Sequence, residues 1–227
     1  MIDIHTHVLP FVDDGSESYE ESIKMLQAAA NDGVTDLIVT PHYRRQYAVA
    51  KDKLKEDFEK LKAQAKSLNI PINLYLGQEI YIENEYKKYF DRDIYLTMNG
   101  TDFILAEFNF FKPVDIVDAV FELSHRGYKV IVAHFERYPY ADLDDAIDIK
   151  ANGGLIQVNA ASIIGKNGFK SKAMVKKLFE RGLVDFVASD IHANRKNNLL
   201  KAYGIIKKKY GEEVAKEVFE NNAKVLI

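Results

Sequence analysis

The chain has 227 residues, 47% of them hydrophobic and 29% charged, with a formal net charge of −3. This is a globular balance for one sizeable core, without the global basic field that would draw a chain to nucleic acid or an acidic membrane. Cysteine is absent, which excludes disulfides, thiolate-ligated zinc and a thiolate nucleophile.

Charged and polar residues begin at Asp3 and His5, so the opening does not read as a secretory leader. No apolar run reaches transmembrane length, and a cytoplasmic protein without membrane insertion is expected. A first strand spans Ile2–His5, followed by an amphipathic helix over Ser18–Asn31 that Asn31-Asp32-Gly33 stops. Strand Asp36–Thr40, helix Lys51–Leu68 and strand Ile72–Gly77 come next, then the irregular stretch Ile80–Asn99, which has room for a short strand or a loop. Strand Phe103–Glu107 precedes helix Val114–Arg126, with Gly127 at its end. Strands Lys129–Ala133 and Leu155–Asn159 follow, then helix Ser171–Arg181 ending at Gly182, and strand Asp185–Ser189. Helical patterns over Asn197–Tyr210 and Glu212–Asn221 complete the chain. The strands are mostly continuous apolar runs, as strands buried on both faces require. No linker or repeat divides them, so one α/β domain over residues 1–227 is expected. Its seven strands are enough to close, or nearly close, a TIM-like barrel.

Placing the polar residues on this map gathers them. His5 and His7 end the first strand, His42 the second, Glu79 the third, Glu107 the fourth, His134 the fifth, and Asp190 and His192 the seventh. In a parallel barrel these ends share the face where active sites sit. Five of the six histidines meet there; His125 falls in the last turn of a helix and reads as a surface residue. Each feature alone has a plain reading: a chance His-x-His, a salt-bridged Glu, a helix-capping Asp. Together they place candidate ligands at the ends of six of seven strands and none within them, which points to a metal centre. Imidazole and carboxylate together suit Mn²⁺, Fe²⁺ or Zn²⁺. Asp13 or Asp14 adds a further ligand from the loop after the first strand; counting Asp14, nine ligands are available, enough for two or three ions. Ions about 3.5–4 Å apart would clamp the attacking and leaving oxygens of a phosphoryl group.

Arg137, three residues past His134, reads as a two-pronged phosphate clamp in preference to an ion pair with Glu136 or Asp142. Arg195 is a second candidate. Arg44 and Arg45 read as a solvated loop pair. Tyr43, Phe108, Phe110, Phe111, Tyr138 and Tyr140 read as rim packing rather than a site for an aromatic leaving group. Asn159 and Ser162 are either pocket groups or ordinary turn residues.

The segments Ile4-His5-Thr6-His7-Val8-Leu9-Pro10, Asp13-Asp14-Gly15, Thr40-Pro41-His42, Gly77-Gln78-Glu79, His134-Phe135-Glu136-Arg137-Tyr138 and Ser189-Asp190-Ile191-His192 resemble the polymerase-and-histidinol-phosphatase (PHP) superfamily. Within it they are most similar to bacterial PHP-type protein-tyrosine phosphatases of capsule and exopolysaccharide operons. The resemblance runs from Met1 to about Val225; Asn221-Asn222-Ala223, where relatives often have Asn-Pro, departs from it away from the ligands. It implies a distorted seven-stranded barrel with three ions. One would take His5, His7, Glu79 and Asp190; a second Glu79, Glu107 and His134; a third Asp14, His42 and His192. It further implies manganese as cofactor and, as substrate, the phosphotyrosine-rich tail of a bacterial tyrosine kinase. Two rivals are a small-molecule phosphatase, such as one for histidinol phosphate, and a non-catalytic kinase-binding module.

Overall fold

The computed structural model describes residues 1–83, 86, 90, 94–193 and 195–227. Part of the irregular stretch Ile80–Asn99 lies outside the described residues; within it the structure records strand residues up to Tyr81 and a 3₁₀ turn at Met98–Gly100.

Nine strands are present among the described residues: β1 (Ile2–Thr6), β2 (Asp36–Val39), β3 (His42–Tyr43), β4 (Asn73–Leu76), β5 (Glu79–Tyr81), β6 (Phe103–Glu107), β7 (Lys129–Val132), β8 (Leu155–Asn159) and β9 (Phe186–Ala188). All pair in parallel, in a three-stranded sheet β1-β2-β4 and a six-stranded sheet β3-β5-β6-β7-β8-β9. The expected seven segments all contain strand, but Asp36–Thr40 and Ile72–Gly77 are each continued, past a break, by a further short strand, so the count of seven is not reproduced. Pro41 has no N–H to give a ladder, so the second segment splits into β2 and β3. Its neighbour splits at Gly77-Gln78 into β4 and β5. Backbone bonds bridge the breaks: Gly77 N–H donates to Val39 (2.8 Å) and Glu79 N–H to Pro41 (3.1 Å). After β9 the chain turns to β1, where Asp190 N–H donates to His5 and His7 N–H to Ile191, both at 3.0 Å. The result is a curled parallel sheet with helices on its outer face.

Alternation along the strands builds two apolar clusters. Leu37, Val39, Ile104, Ala106, Val130, Val132, Ile156, Val158 and Val187 pack with helix residues such as Leu26, Leu61, Leu123, Ile149 and Leu178. The intervening residues Ile2, Ile4, Ile38, Phe103, Leu105, Ile131, Ala133, Phe186 and Ala188 form a second cluster with Met98, Ala223 and Leu226. A fully buried leucine such as Leu105 contributes about 1.5–3 kcal/mol relative to exposure.

The helices follow their caps. Ser18 accepts from Glu21 N–H (3.1 Å) and starts Tyr19–Asn31. Asp115 accepts from Asp118 N–H (2.8 Å) and starts Ile116–His125, two residues later than the pattern suggests. The helix expected from Ser171 begins earlier, at Gly168. The helix expected over Glu212–Asn221 is α-helical only to Lys216, with a π-turn after it. Leu143–Ala151 is a helix that sequence patterning does not anticipate; a reciprocal capping box of Asp142 and Asp145 opens it. No helix among the described residues is long and apolar enough to cross a membrane.

Candidate metal centre

The rows that hold the second apolar cluster continue directly into polar residues. With period two, Ile38 leads through Thr40 to His42, Tyr75 through Gly77 to Glu79, Phe103 through Leu105 to Glu107, and Phe186 through Ala188 to Asp190. Gly77 is required because a Cβ there would stand 2.9 Å from Met98 Sδ and 3.3 Å from Ile38 Cγ2. Two rows need a local device. The β1–β2 register shifts between Asp3 and Thr6, so that His5 and His7, rather than the parity of Ile2 and Ile4, reach the site. After β7, His134 takes φ 34°, a left-handed conformation that costs a non-glycine residue and turns its ring inward. Asp190, at φ 50°, carries the same kind of strain.

Glu79 is the hub. Its Oε1 lies 3.3 Å from His5 Nε2 and 3.0 Å from His134 Nε2, and its Oε2 lies 3.4 Å from His7 Nε2 and 2.7 Å from His42 Nδ1. Asp190 Oδ1 is 3.7 Å from Nε2 of both His5 and His7. Asp14 Oδ1 is 3.4 Å from His42 Nε2 and 3.5 Å from His192 Nε2. Glu107 approaches His42 Nδ1 (3.7 Å) and His134 Nε2 (3.8 Å). The two neighbouring aspartates divide their tasks. Asp13 accepts from His7 Nδ1 (2.8 Å), from His42 N–H (2.9 Å) and from Gly15 N–H (2.9 Å), so its carboxylate backs the His7 ring while half-exposed Asp14 faces the ring nitrogens.

Among the described residues, four donor sets have ligand atoms within 4.8 Å of one another: His7, Asp14, His42 and His192; His5, His7 and Asp190; His5, Glu79 and His134; His42, Glu79 and Glu107. All nine sequence-expected ligands fall in these sets. The donors fit divalent ions. Asp13 accepts from His7 Nδ1, and the Nε2 atoms of His7 and His5 face each other at 3.2 Å, a contact that a proton or a metal ion held between them satisfies. Glu79 Oε2, His42 Nδ1 and His134 Nδ1 are buried without a hydrogen bond.

The protein's own charges are unsettled here. Burial, with Glu79 beside it, pushes the Glu107 carboxyl up to about 7 against the pull of His42 and Arg44. Burial, with Arg137 adding to it, holds His134 down to about 4 against the pull of Glu79. For His42 burial is outweighed by Glu79, which lifts it to about 9. Burial likewise opposes ionised Glu79, but the charges of His5 and His42 hold it well below the usual carboxylate range.

Both expected arginines overhang this cluster. Arg137 Nη1 lies 3.3 Å from Asp190 Oδ2, with its guanidinium 4.7 Å from the Phe110 ring centroid. Arg195 Nη1 lies 3.4 Å from the same oxygen. The alternative partners of Arg137 are engaged elsewhere: Glu136 accepts from Ser162 and Asn159, and Asp142 caps a helix. Arg44 corrects the solvated-loop reading, because its Nε (3.0 Å) and Nη2 both donate to Glu107. Phe108 and Tyr138 are buried and Phe110 stacks on Tyr138, as rim packing requires, whereas Phe111 is exposed. His125 sits exposed at a helix end, its Nδ1 donating to Phe121 O (2.8 Å).

Named relatives match the chain over nearly its whole length. The tyrosine-protein phosphatase YwqE of Bacillus subtilis is 31% identical over 97% of this chain and 89% of its own length. The tyrosine-protein phosphatase CpsB of Streptococcus pneumoniae is 31% identical over 100% of this chain and 98% of its own. A crystal structure from work on these two proteins, described as unique metal-dependent tyrosine phosphatases, superposes with a TM-score of 0.91 at 31% identity, covering 100% of this chain and 94% of that one. The family model for capsular polysaccharide synthesis, CpsB/CapC, matches residues 1–227. With its whole length matched and its nine candidate ligands assembled, the chain belongs to the CpsB/CapC family of capsular polysaccharide synthesis.

Proposed function

We infer that this protein is a metal-dependent protein-tyrosine phosphatase of capsular polysaccharide synthesis. The observation that carries this reading is Glu79, buried within 3.4 Å of four imidazoles and ringed by Glu107, Asp190 and Asp14 at the mouth of a parallel sheet. Membership of a family whose named relatives are tyrosine phosphatases supports it. The curled sheet is read as a seven-stave barrel of PHP type, and residues 1–227 as one domain.

One ion would be held by His5, His7, Glu79 and Asp190, a second by Glu79, Glu107 and His134, and a third by Asp14, His42 and His192. Proximity supports the third set whole, the first through His5, His7 and Asp190, and the second through Glu79, which groups with His134 and, separately, with Glu107. When bound, such ions supply Lewis-acid charge to phosphoryl oxygens and make an attacking water more acidic. Manganese is the proposed ion, with iron or zinc as alternatives. Asp13 fixes the His7 tautomer by taking its Nδ1 proton. Arg137 and Arg195 each offer a guanidinium next to Asp190 and would exchange that contact for the phosphoryl oxygens, Arg137 held against Phe110 as it does so. With no cysteine in the chain, a cysteinyl-phosphate intermediate is excluded. The substrate we propose is the phosphotyrosine-bearing tail of a bacterial tyrosine kinase, met in the cytoplasm.

The test is hydrolysis of phosphotyrosine peptides and histidinol phosphate side by side, with Mn²⁺, Fe²⁺ or Zn²⁺ added in turn. The expected result is metal-dependent release of phosphate, with kcat/KM higher for the peptides. Preference for histidinol phosphate would move the protein to the small-molecule phosphatases, and inertness with every metal would leave a binding module.

A further inference from the structure

β8 supplies none of the candidate ligands, yet its enclosed face is not apolar. In Leu155-Ile156-Gln157-Val158-Asn159 the residues of one parity, Gln157 and Asn159, are buried amides, where the neighbouring row on β9 carries Phe186 and Ala188. A buried amide is costly unless it is bonded, so the partners of these two side chains have a purpose to disclose.

One fixed donor orients the whole set. The His134 backbone N–H can only donate, and it donates to Gln157 Oε1 at 2.8 Å. That places the Gln157 NH₂ group toward Asn159 Oδ1, 2.8 Å away. Asn159 Nδ2 must then point the other way, and it donates to Asp190 Oδ2 at 2.7 Å. The second lone pair of Gln157 Oε1 accepts from His5 Nδ1 at 3.1 Å, which makes Nδ1 the protonated nitrogen and leaves the Nε2 lone pair directed at Glu79 and His7. Gln157 thus does for His5 what Asp13 does for His7, with a neutral oxygen in place of a carboxylate.

We propose that Gln157 and Asn159 are positioning residues for metal binding: a directional amide relay on the ligand-free strand sets the tautomer of His5, the left-handed turn at His134 and the rotamer of Asp190. The relay rests on the metal-centre reading above. Neutral amides suit the place because it already holds Glu79, Glu107 and Asp190 in burial, and another carboxylate would add repulsion.

Equilibrium titration of the chelator-stripped full chain with Zn²⁺ tests the proposal, alongside ¹⁵N shifts of the His5 ring and the melting temperature. Gln157→Leu keeps the volume and removes every bond that the Gln157 side chain makes; it is expected to weaken metal binding by about 10–100-fold and to mix the His5 tautomers. Gln157→Glu keeps the acceptor for His5 and His134 and should retain the Nδ1–H tautomer. Asn159→Asp keeps the acceptor for Gln157 but sets a carboxylate against Asp190, so it should weaken binding with the His5 tautomer unchanged. A folded Gln157→Leu that binds zinc like the wild type, with one His5 tautomer, overturns the proposal. If that variant does not fold, Asp at position 159 with unaltered affinity overturns it instead. A wild-type chain that binds no metal would overturn the metal-centre reading itself, a separate outcome.

Discussion

Two ends of the same strands enclose very different material. Near their N-terminal ends the enclosed rows hold Ile2, Ile38, Phe103, Ile131 and Phe186, sealed by Met98, Ala223 and Leu226. Four residues further on, the rows of Ile38, Phe103 and Phe186 hold His42, Glu107 and Asp190, with Glu79 and Asn159 at the same level on neighbouring strands, all buried. The apolar end gains from every side chain removed from water. The polar end gains only if its charges are paired or shared with a cation, since buried ions are costly when left alone. Its left-handed His134 and Asp190 put backbone strain on two of the clustered polar residues themselves. The difference teaches that stability and chemistry are stacked along one axis, so that substitutions at the two ends should separate them.

The largest effect is expected at the hub of the polar end. Glu79→Gln keeps the shape but removes the charge that four histidines share. Hydrolysis should fall by at least about three orders of magnitude, because bound metal contributes several kcal/mol to phosphoryl transfer, and metal content should fall with it. His125→Ala, at an exposed helix end, should change neither. Phosphatase assays with elemental analysis decide this, and equal losses in both variants would show that position along the strands is no guide to role. At the apolar end, Leu105→Ala should lower unfolding free energy by about 2–5 kcal/mol. Its kcat/KM per folded molecule should stay within a few-fold of the wild type. Urea unfolding paired with rates normalised to folded protein checks it, and a large rate loss at unchanged stability would merge the two ends.

Much of this division is legible in the sequence, because it rests on periodicity. Glu107 two residues past Leu105, and Asp190 two past Ala188, can be placed by counting alone. Roles that depend on three-dimensional reach are less visible. Asp13 and Asp14 are adjacent and chemically identical; only the approach of the His7 ring distinguishes them. Arg44 looks like a loop residue, and its contact with Glu107 spans 63 positions of chain. Pro41 is plain to see, but that it splits a stave in two follows only from knowing what lies beside it. Helix Leu143–Ala151 is short and rich in aspartate, so its apolar pattern is thin; the Asp142 and Asp145 caps are the better signal. Gln157 and Asn159 are conspicuous in an otherwise apolar strand, but their partners come from three other strands' ends.

The smallest expected effect concerns Glu136, a polar-end residue that no metal set includes. It is buried, its Oε1 accepts from Asn159 N–H (3.1 Å) and from Ser162, and its Oε2 has no partner. Burial pushes its carboxyl from 4.5 up to about 7, more than those two bonds and Arg137 pull it down. The folded state therefore holds the proton more tightly than the unfolded chain. Below pH 4.5 both states are protonated and the group costs nothing. As pH rises towards 7 the unfolded state ionises first, so stability is lost across that window and the loss is complete above it. Glu136→Gln cannot ionise and keeps an oxygen for Asn159. Relative to wild type it should be about equally stable near pH 4.5 and about 1–3 kcal/mol more stable at pH 8. Comparing the two metal-free proteins by urea unfolding at each pH cancels the titration of the histidines they share. A difference that does not grow with pH would mean that Glu136 is already charged in the fold. The polar end would then hold one more buried anion than its hydrogen bonds account for, with Arg137 as the charge that offsets it.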